Sequence, residues 1–369
     1  MAAGKGKRLR PLTYLHPKPA IPLAGISLLD YYLLLLSRLE FKEIVILIGH
    51  LGDEIVDRIR SNESLSIKAD FVNQVEQLGT GHAVSLLKEK IREEDFLLIY
   101  SDVFMSVSDL KKLLKAAKSS EFDHVVAVAR VEEPWKFGVV LEEDEMLKGI
   151  VEKPPKGKEP SNKVIAGAFY FDNSIFSYIE GLSKSPRGEY ELTDAIQEAA
   201  KCGERVKVLV LQGGWTDAGT FPNLLEASRL LFHELSKEKL YLDLKWSYQN
   251  DKFGPGIEEP YQDVEIQGPV FIGENVKVGR GSKIGPYVVL YENVNVGENV
   301  KISNSILLGG TSVGKGSSID RSIVGDGSSI GREVKLRRTP DRGFGMVLGR
   351  GVRIDDFREI DPGTVLSWH

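Results

Sequence analysis

Residues 264–299 read VEIQGP VFIGEN VKVGRG SKIGPY VVLYEN VNVGEN, a run of hexads held in one phase. An aliphatic residue recurs every six positions at Ile266, Ile272, Val278, Ile284, Leu290, Val296, Ile302 and Leu308. A second register runs through Val264, Val270, Val276, Ser282, Val288, Val294, Val300 and Ile306, and glycine follows the first at Gly273, Gly279, Gly285, Gly297 and Gly309. The phase slips by one residue to Val313-Gly314 and Ile319, slips again to Val324-Gly325, and continues through Ile330-Gly331 to Leu336. A sustained six-residue period buries one aliphatic side chain per short strand and turns at the small residues. Residues 263–336 are therefore predicted to form a left-handed parallel β-helix of about four coils.

Upstream the rhythm differs. Across residues 1–240, the apolar runs Ile44–Ile48, Phe96–Tyr100, Val125–Ala129 and Val206–Val210 alternate with helix candidates over 27–39, 80–90, 108–118 and 193–201. Continuous apolar runs separated by helices predict strands covered on both faces, hence a mostly parallel, Rossmann-like α/β sheet of doubly wound type. Residues 241–262, with Gly254, Pro255, Gly256 and Pro260 among polar neighbours, read as a linker. Residues 337–369, opening with Arg337, Arg338, Pro340 and Arg342, read as an irregular C-terminal tail.

Composition narrows the function. With 369 residues, 42% hydrophobic and 27% charged, the chain has ample material for two or three packed domains and is no disordered polymer. A formal charge of -5 offers no basic footprint for nucleic acid. The apolar run near Tyr31–Leu36 is far short of the ~20 residues that cross a bilayer, and with no signal-peptide pattern ahead of it the cytoplasm is the expected location. Cys202, the one cysteine, excludes an internal disulfide and a cysteine-based zinc site, and reads as a small buried hydrophobe.

The chemistry concentrates at the start of the chain. Met1-Ala2-Ala3-Gly4-Lys5-Gly6-Lys7-Arg8-Leu9-Arg10-Pro11-Leu12-Thr13 combines small residues, which let backbone N–H groups approach a phosphate, with the forked donor of Arg8. It is neither Gly-x-Gly-x-x-Gly nor a Walker A sequence. Shortly after it, Pro17-Lys18-Pro19 sets a lysine between two prolines, whose fixed φ pre-positions the cation.

In these segments the sequence resembles the nucleoside-diphosphate-sugar pyrophosphorylases, or sugar-1-phosphate nucleotidyltransferases, and the resemblance extends over essentially the whole chain. It implies that Ala2, Ala3, Gly4 and Gly6 line a nucleotide site. It also implies that Gln74 bonds the base while Gly79 and Thr80 pack on it, within Gln74-Val75-Glu76-Gln77-Leu78-Gly79-Thr80-Gly81. Asp102, at the carboxyl end of an apolar run, and Asp217, in Trp215-Thr216-Asp217-Ala218-Gly219, match the aspartates that bind Mg²⁺ in the family. Ser101 stands where the family has glycine. Gly138, Glu152, Lys153 and Gly167 match the sugar-phosphate segments, and Ile165 replaces an asparagine common before Ala166-Gly167. In Gly188-Glu189-Tyr190-Glu191-Leu192-Thr193-Asp194, Thr193 is expected to cap the following helix, with Glu191 supporting the site.

The implied reaction joins a nucleoside triphosphate to a sugar 1-phosphate and releases pyrophosphate, with Arg8, Lys18 and Lys153 as its catalytic cations. The base-side segment looks most like that of enzymes using UTP or dTTP with glucose- or N-acetylglucosamine-type sugars. A mannose-1-phosphate guanylyltransferase using GTP is the alternative. A non-catalytic regulatory relative is a further reading, although it would usually lack one of Arg8, Lys18, Asp102, Lys153 or Asp217. An acyltransferase in the β-helix would need a base, and no histidine lies between His233 and His369. The β-helix is expected to join copies of the chain into a homo-oligomer. Neither nucleic acid nor membrane is an expected partner. Finally, in this family an apolar strand leads into the Ala2-Ala3-Gly4 loop, so the natural chain is expected to begin a few residues upstream of Met1.

Overall fold

The computed structural model describes residues 1–62, 67–91, 94–119, 121–257, 261, 263–336 and 343–367. Strands β1 (Glu43–Ile48), β2 (Lys68–Asn73), β3 (Asp95–Ile99), β4 (Val103–Met105) and β5 (His124–Arg130) are followed by β6 (Gly138–Glu143), β7 (Met146–Glu152), β8 (Lys163–Asp172), β9 (Val206–Val210) and β10 (Trp215–Asp217). Among them run helices α1 (Leu28–Arg38), α2 (Gly52–Arg60), α3 (Thr80–Ser85), α4 (Val107–Ala117), α5 (Ile175–Glu180), α6 (Leu192–Lys201) and α7 (Phe221–Lys237). The chain divides into two compact units, one of Met1–Gly4 with Leu35–Trp215, the other of Lys5–Leu34 with Thr216–His369.

The expected apolar runs are strands, and the expected helices start within a residue of their predicted positions, although the one expected over 80–90 ends at Ser85. The main sheet has the order β3-β8-β5-β9-β7-β6. β5 and β9 are parallel, with Val126 opposite Val208. This main sheet is mixed: β8 inserts antiparallel between β3 and β5, and β7 runs antiparallel to both β9 and β6. Its alternating Val164, Ala166, Ala168 and buried rings Phe169 and Phe171 make it the centre of the core, with the two rings stacked 5.3 Å apart. β6 and β7 form a hairpin whose turn residues Asp144 and Glu145 both take positive φ, as a tight right-twisted hairpin requires. β1 and β2 pair in parallel as a separate sheet. Met1 and Ala2 bind both β1 and the end of β3: the Ala2 N–H donates to Leu47 O at 2.7 Å, and the Met1 amino group donates to Ile99 O at 2.7 Å.

In the second unit three parallel sheets build the left-handed β-helix that the hexads predict. Val270 lies opposite Val288 and Ile284 opposite Ile302, 18 residues apart. Where the sequence phase slips, Val296 meets Val313 and Ile302 meets Ile319, 17 apart, so the slip is a coil shortened by one residue. Along the inside, Ser282, Ser305, Ser317, Ser322 and Ser328 interrupt the aliphatic column and are buried. Each both gives and takes: Ser322 Oγ donates to Asp320 O at 2.8 Å and accepts from Met346 N–H at 3.1 Å.

Several boundaries are corrected. The stack does not stop at 336: Met346–Leu348, Arg353–Ile354, Glu359–Ile360 and Thr364–Leu366 continue its three sheets, so residues 343–367 are coil and no irregular tail. Arg337, Arg338, Pro340 and Arg342 lie outside the described residues. Ile323 pairs with Val347, 24 residues on, so an extra excursion of about one hexad interrupts the period that had been followed to Leu336. Part of the expected 241–262 linker also belongs to the stack, since Lys252–Phe253 pairs with Val270–Phe271; Pro260 is outside the described residues. The expected 1–240 domain is divided, with Lys5–Leu34 and α7 in the β-helical unit. Cys202 is exposed at the C-terminal end of α6 and is no buried hydrophobe.

Candidate active site

In the first unit the predicted base-side and sugar-side segments are knitted together. Gly79 takes φ of 114°, and a Cβ there would stand 2.5 Å from Tyr190 O, so only glycine fits. The two segments exchange backbone bonds, Gly81 N–H to Tyr190 O at 2.7 Å and Tyr190 N–H to Leu78 O at 2.8 Å. Thr80 opens α3, and its hydroxyl accepts from Leu192 N–H at 3.0 Å. Gln77 Nε2 donates to Ala3 O at 2.7 Å, fixing Ala2-Ala3-Gly4 beside the base-side segment. Gln74 is buried, its amide nitrogen 3.5 Å from His82 Nδ1.

The β6–β7 hairpin sets Gly138 directly opposite Glu152. A Cβ on Gly138 would stand 2.8 Å from the Glu152 carboxylate, 3.3 Å from Thr193 and 3.4 Å from Ile165. Lys153 follows with a left-handed φ of 44°, a conformation costly for a side chain with a Cβ. Its Nζ lies 3.6 Å from Glu152 Oε1. Thr193 is not the helix cap expected: α6 begins at Leu192, and the Thr193 hydroxyl donates to Glu152 at 3.3 Å. Glu191 is buried; burial pushes its carboxyl up, the charge of Glu152 adds to this, and Arg187 pulls against it.

Two residues missed at the sequence level complete this side. Arg187 places Nη1 3.0 Å from Glu191 and 3.4 Å from Glu152, facing Lys153's partner with a second cation. It stands in a Pro186-Arg187-Gly188 turn whose neighbours were read only for the following helix. Tyr100 stands two residues before Asp102 at the end of β3; its hydroxyl hydrogen-bonds Thr80, and its ring packs against Gly167, where a Cβ would be 3.0 Å away. Burial, with Asp102, Glu152 and Glu191 nearby, keeps its phenol protonated. Ser101, in the family's glycine position, donates its hydroxyl to Met1 O at 2.6 Å.

The second unit gathers the other predicted residues. Gly6 has φ of 57°, and a Cβ there would strike Thr13 at 2.7 Å and meet the Lys18 stem at 3.3 Å. The Thr13 hydroxyl donates to Gly6 O at 2.9 Å, so the loop and the Pro17-Lys18-Pro19 turn fold on each other. A Cβ on Gly219 would be 2.7 Å from Asp217 Oδ1 and 3.0 Å from Arg8 Nη2, which makes Arg8 and Asp217 neighbours with room only for glycine between them. Asp217 Oδ1 accepts from Gly219 N–H at 2.8 Å and Asn223 Nδ2–H at 3.2 Å, which orients the carboxylate.

Asp102 and Asp217 fall in different units. Among the described residues no three His, Cys, Asp or Glu side chains form a metal-binding group. Mg²⁺ needs none: it commonly takes one or two carboxylates and completes its shell with water and substrate phosphate. An oriented aspartate of all-oxygen character therefore fits that cation.

Residues 1–234 match the family model described as nucleotidyl transferase. The chain belongs to that family. Residues 266–369 match a second model, described as GMPPB C-terminal domain, which agrees with coils continuing past 336. The bifunctional protein GlmU of Methanocaldococcus jannaschii is 35% identical over 344 residues, covering 88% of this chain and 76% of its own length. A glucose-1-phosphate thymidylyltransferase of Streptomyces griseus is 29% identical, covering 88% of this chain and 90% of its own. Among solved structures, a UDP-glucose pyrophosphorylase complexed with UDP-glucose superposes with a TM-score of 0.57 at 25% identity, over 63% of this chain and 97% of the other. The protein is thus an enzyme of the nucleotidyltransferase class. Among the described residues no helix is long and apolar enough to cross a membrane.

Proposed function

We propose that the enzyme couples UTP or dTTP to a glucose- or N-acetylglucosamine-type sugar 1-phosphate. The observation that carries nucleotidyl transfer is the position of Tyr100, which bonds Thr80 of the base-side segment, packs on Gly167 of the sugar-side segment, and lies two residues from Asp102. The relatives named for thymidylyl transfer and UDP-glucose support the choice of base and sugar.

In the reaction an oxygen of the sugar phosphate attacks the α-phosphorus in line. The bond from that phosphorus to the bridging oxygen breaks, and pyrophosphate leaves with the electron pair. A phosphate dianion is already nucleophilic, so the protein's work is positioning and charge neutralisation. Gln74 holds the base, Ala2 lines the nucleotide site with its N–H committed to Leu47 O, and the N–H groups of Ala3, Gly4 and Gly6 approach the phosphates. Arg8 and Lys18 balance the departing pyrophosphate. Lys153 and Arg187 hold the sugar phosphate, while Glu152 accepts sugar hydroxyls above Gly138. The positive φ of Lys153 sets the direction in which its side chain leaves the end of β7. The family resemblance assigns Mg²⁺ to Asp102 and Asp217, and the cation would supply charge neutralisation at the phosphates when bound.

A pyrophosphate-release assay of four nucleoside triphosphates against glucose, N-acetylglucosamine and mannose 1-phosphates tests the proposal. Turnover confined to UTP or dTTP with the first two sugars supports it. Turnover confined to GTP with mannose 1-phosphate would establish the guanylyltransferase reading, which the C-terminal match keeps in view. No turnover in any pair would favour a regulatory protein. We further read the β-helix as an assembly element: Phe357, Val365 and Leu366 are exposed in its last coils, and a second copy would cover them. A strictly monomeric protein at micromolar concentration contradicts that assignment. Acyl transfer, part of one relative's printed name, has no histidine base between His233 and His369 here.

A further inference from the structure

We propose that the β-helix also positions the phosphate-binding loop, with Asp326 as the positioning residue acting through His16. The proposal rests on the reading of residues 5–18 as that loop.

The loop has little to hold it by itself. Between Lys5 and Ser27 it contains only three single 3₁₀ turns, Lys7–Leu9, Leu12–Tyr14 and Lys18–Ala20. A segment with so few backbone bonds of its own has a low local opening free energy unless tertiary contacts fix it. Two residues before Lys18, His16 places Nε2 3.0 Å from Asp326 Oδ2. Asp326 stands in the turn between the β-helix strands Ile323–Val324 and Ser329–Ile330. That turn is itself rigid, since Asp326 O accepts from Gly351 N–H of the next coil at 2.8 Å. Burial pushes the Asp326 carboxyl up, but the hydrogen bond and charge of His16 outweigh it and leave the carboxyl below its ordinary value.

Two further contacts come from neighbouring coils. Gly349 presses on Pro11, for a Cβ there would stand 3.1 Å from the proline ring. The Phe344 ring meets Phe221 edge-on at 5.3 Å, and Phe221 begins α7 four residues after Asp217. One stretch of the stack, from Asp326 to Gly349, therefore touches both segments that carry Arg8, Lys18 and Asp217. Of these three contacts the Asp326–His16 pair is the polar, directional one, so it sets the orientation while the other two set the distance.

The test uses the full-length protein. Asp326→Ala removes the acceptor; Asp326→Asn keeps an amide oxygen that can still accept from His16. Amide hydrogen exchange of peptides spanning residues 5–20 should quicken about tenfold in Asp326→Ala and return near wild type in Asp326→Asn, with residues 283–302 unchanged in both. For catalysis, Asp326→Ala should lower kcat/KM for the nucleotide roughly five- to tenfold while KM for the sugar 1-phosphate stays put, and His16→Ala in the same background should add nothing. Wild-type exchange in residues 5–20 of Asp326→Ala, or equal loosening in Asp326→Ala and Asp326→Asn, overturns the proposal. If wild-type protein turns over no nucleotide, the functional reading fails while the exchange measurement still decides the clamp.

Discussion

The sugar-side pocket and the β-helix both bury polar side chains, and they treat them in opposite ways. In the β-helix each buried serine is answered twice within one or two coils, as Ser282 is by Gly297 O and Val300 N–H, or Ser328 by Gly349 O and Val352 N–H. Those groups are finished; nothing is left for a ligand to satisfy. In the pocket, Glu191 is buried beside the like charge of Glu152, and Lys153 sits in a backbone conformation that costs energy. The serines of the stack are neutral and paired among backbone groups, whereas the sugar-side carboxylates are paired but crowded, Glu191 accepting from Arg187 and Ser185 beside the like charge of Glu152.

If that division is sound, site substitutions should cost activity and spare stability. The largest effect is expected for the carboxylates: Asp102→Ala and Asp217→Asn should each lower kcat by at least ~10²-fold, because a few kcal/mol of transition-state stabilisation is lost. Asparagine at 217 keeps the oxygen that accepts from Gly219 and Asn223, so the melting temperature should hold. Near-native turnover by either variant in the presence of Mg²⁺ removes the metal assignment.

Next comes Glu191→Gln. Steady-state kinetics should find kcat/KM for the sugar 1-phosphate down roughly tenfold as the orientation of Arg187 is lost. Stability should not fall, since the substitution removes a buried charge that repels Glu152. The sign follows from linkage: a carboxyl whose folded pKa is raised destabilises the fold as pH climbs through its unfolded value towards the raised one, and glutamine abolishes that slope. Denaturation that becomes easier at pH 7 in this variant would break the contrast.

The mirror experiment is Ser322→Ala in the β-helix. It strands Met346 N–H in the interior and should cost about 1–3 kcal/mol in chemical denaturation, with unchanged kcat for protein kept folded. The smallest effect concerns His124, wholly buried at the start of β5. Burial lowers its pKa below 6.5 and outweighs the adjacent Glu204. Its folded pKa being depressed, stability is full above about 6.5 and declines as pH falls from there towards the lower folded value. Comparing melting temperatures at pH 7.5 and 5.5 in wild type and His124→Gln should reveal a shallower slope in the variant.

Much of this architecture is legible in the chain because its signals are periodic. β1, β3, β5 and β9 are continuous apolar runs, and the hexads specify the stack coil by coil. β8 escaped because its antiparallel insertion depends on partners far away in sequence, not on its own pattern. The coils after 343 escaped because one added hexad breaks the phase on which the reading relied. In the pocket, Gly138, Glu152 and Lys153 were found through motif resemblance, and the β6–β7 register explains their spacing. Arg187 and Tyr100 carry no periodic signal; they are defined by what they face. The Asp326–His16 contact spans 310 residues, so only the folded chain displays it.

The interval from Ile323 to Val347 has a consequence of its own. Across this interval the sheets keep their register, Val324 against Leu348 and Ile330 against Ile354. Strand pairing in the stack links each coil to the coils above and below it, so a corner that touches nothing outside the stack is free to accept new sequence without renegotiating the rest. Closing a longer corner adds only about 0.6 kcal/mol for each doubling of its length. Corners of this stack that touch nothing outside it are accordingly natural grafting points, where peptides or whole modules could be displayed at a chosen coil.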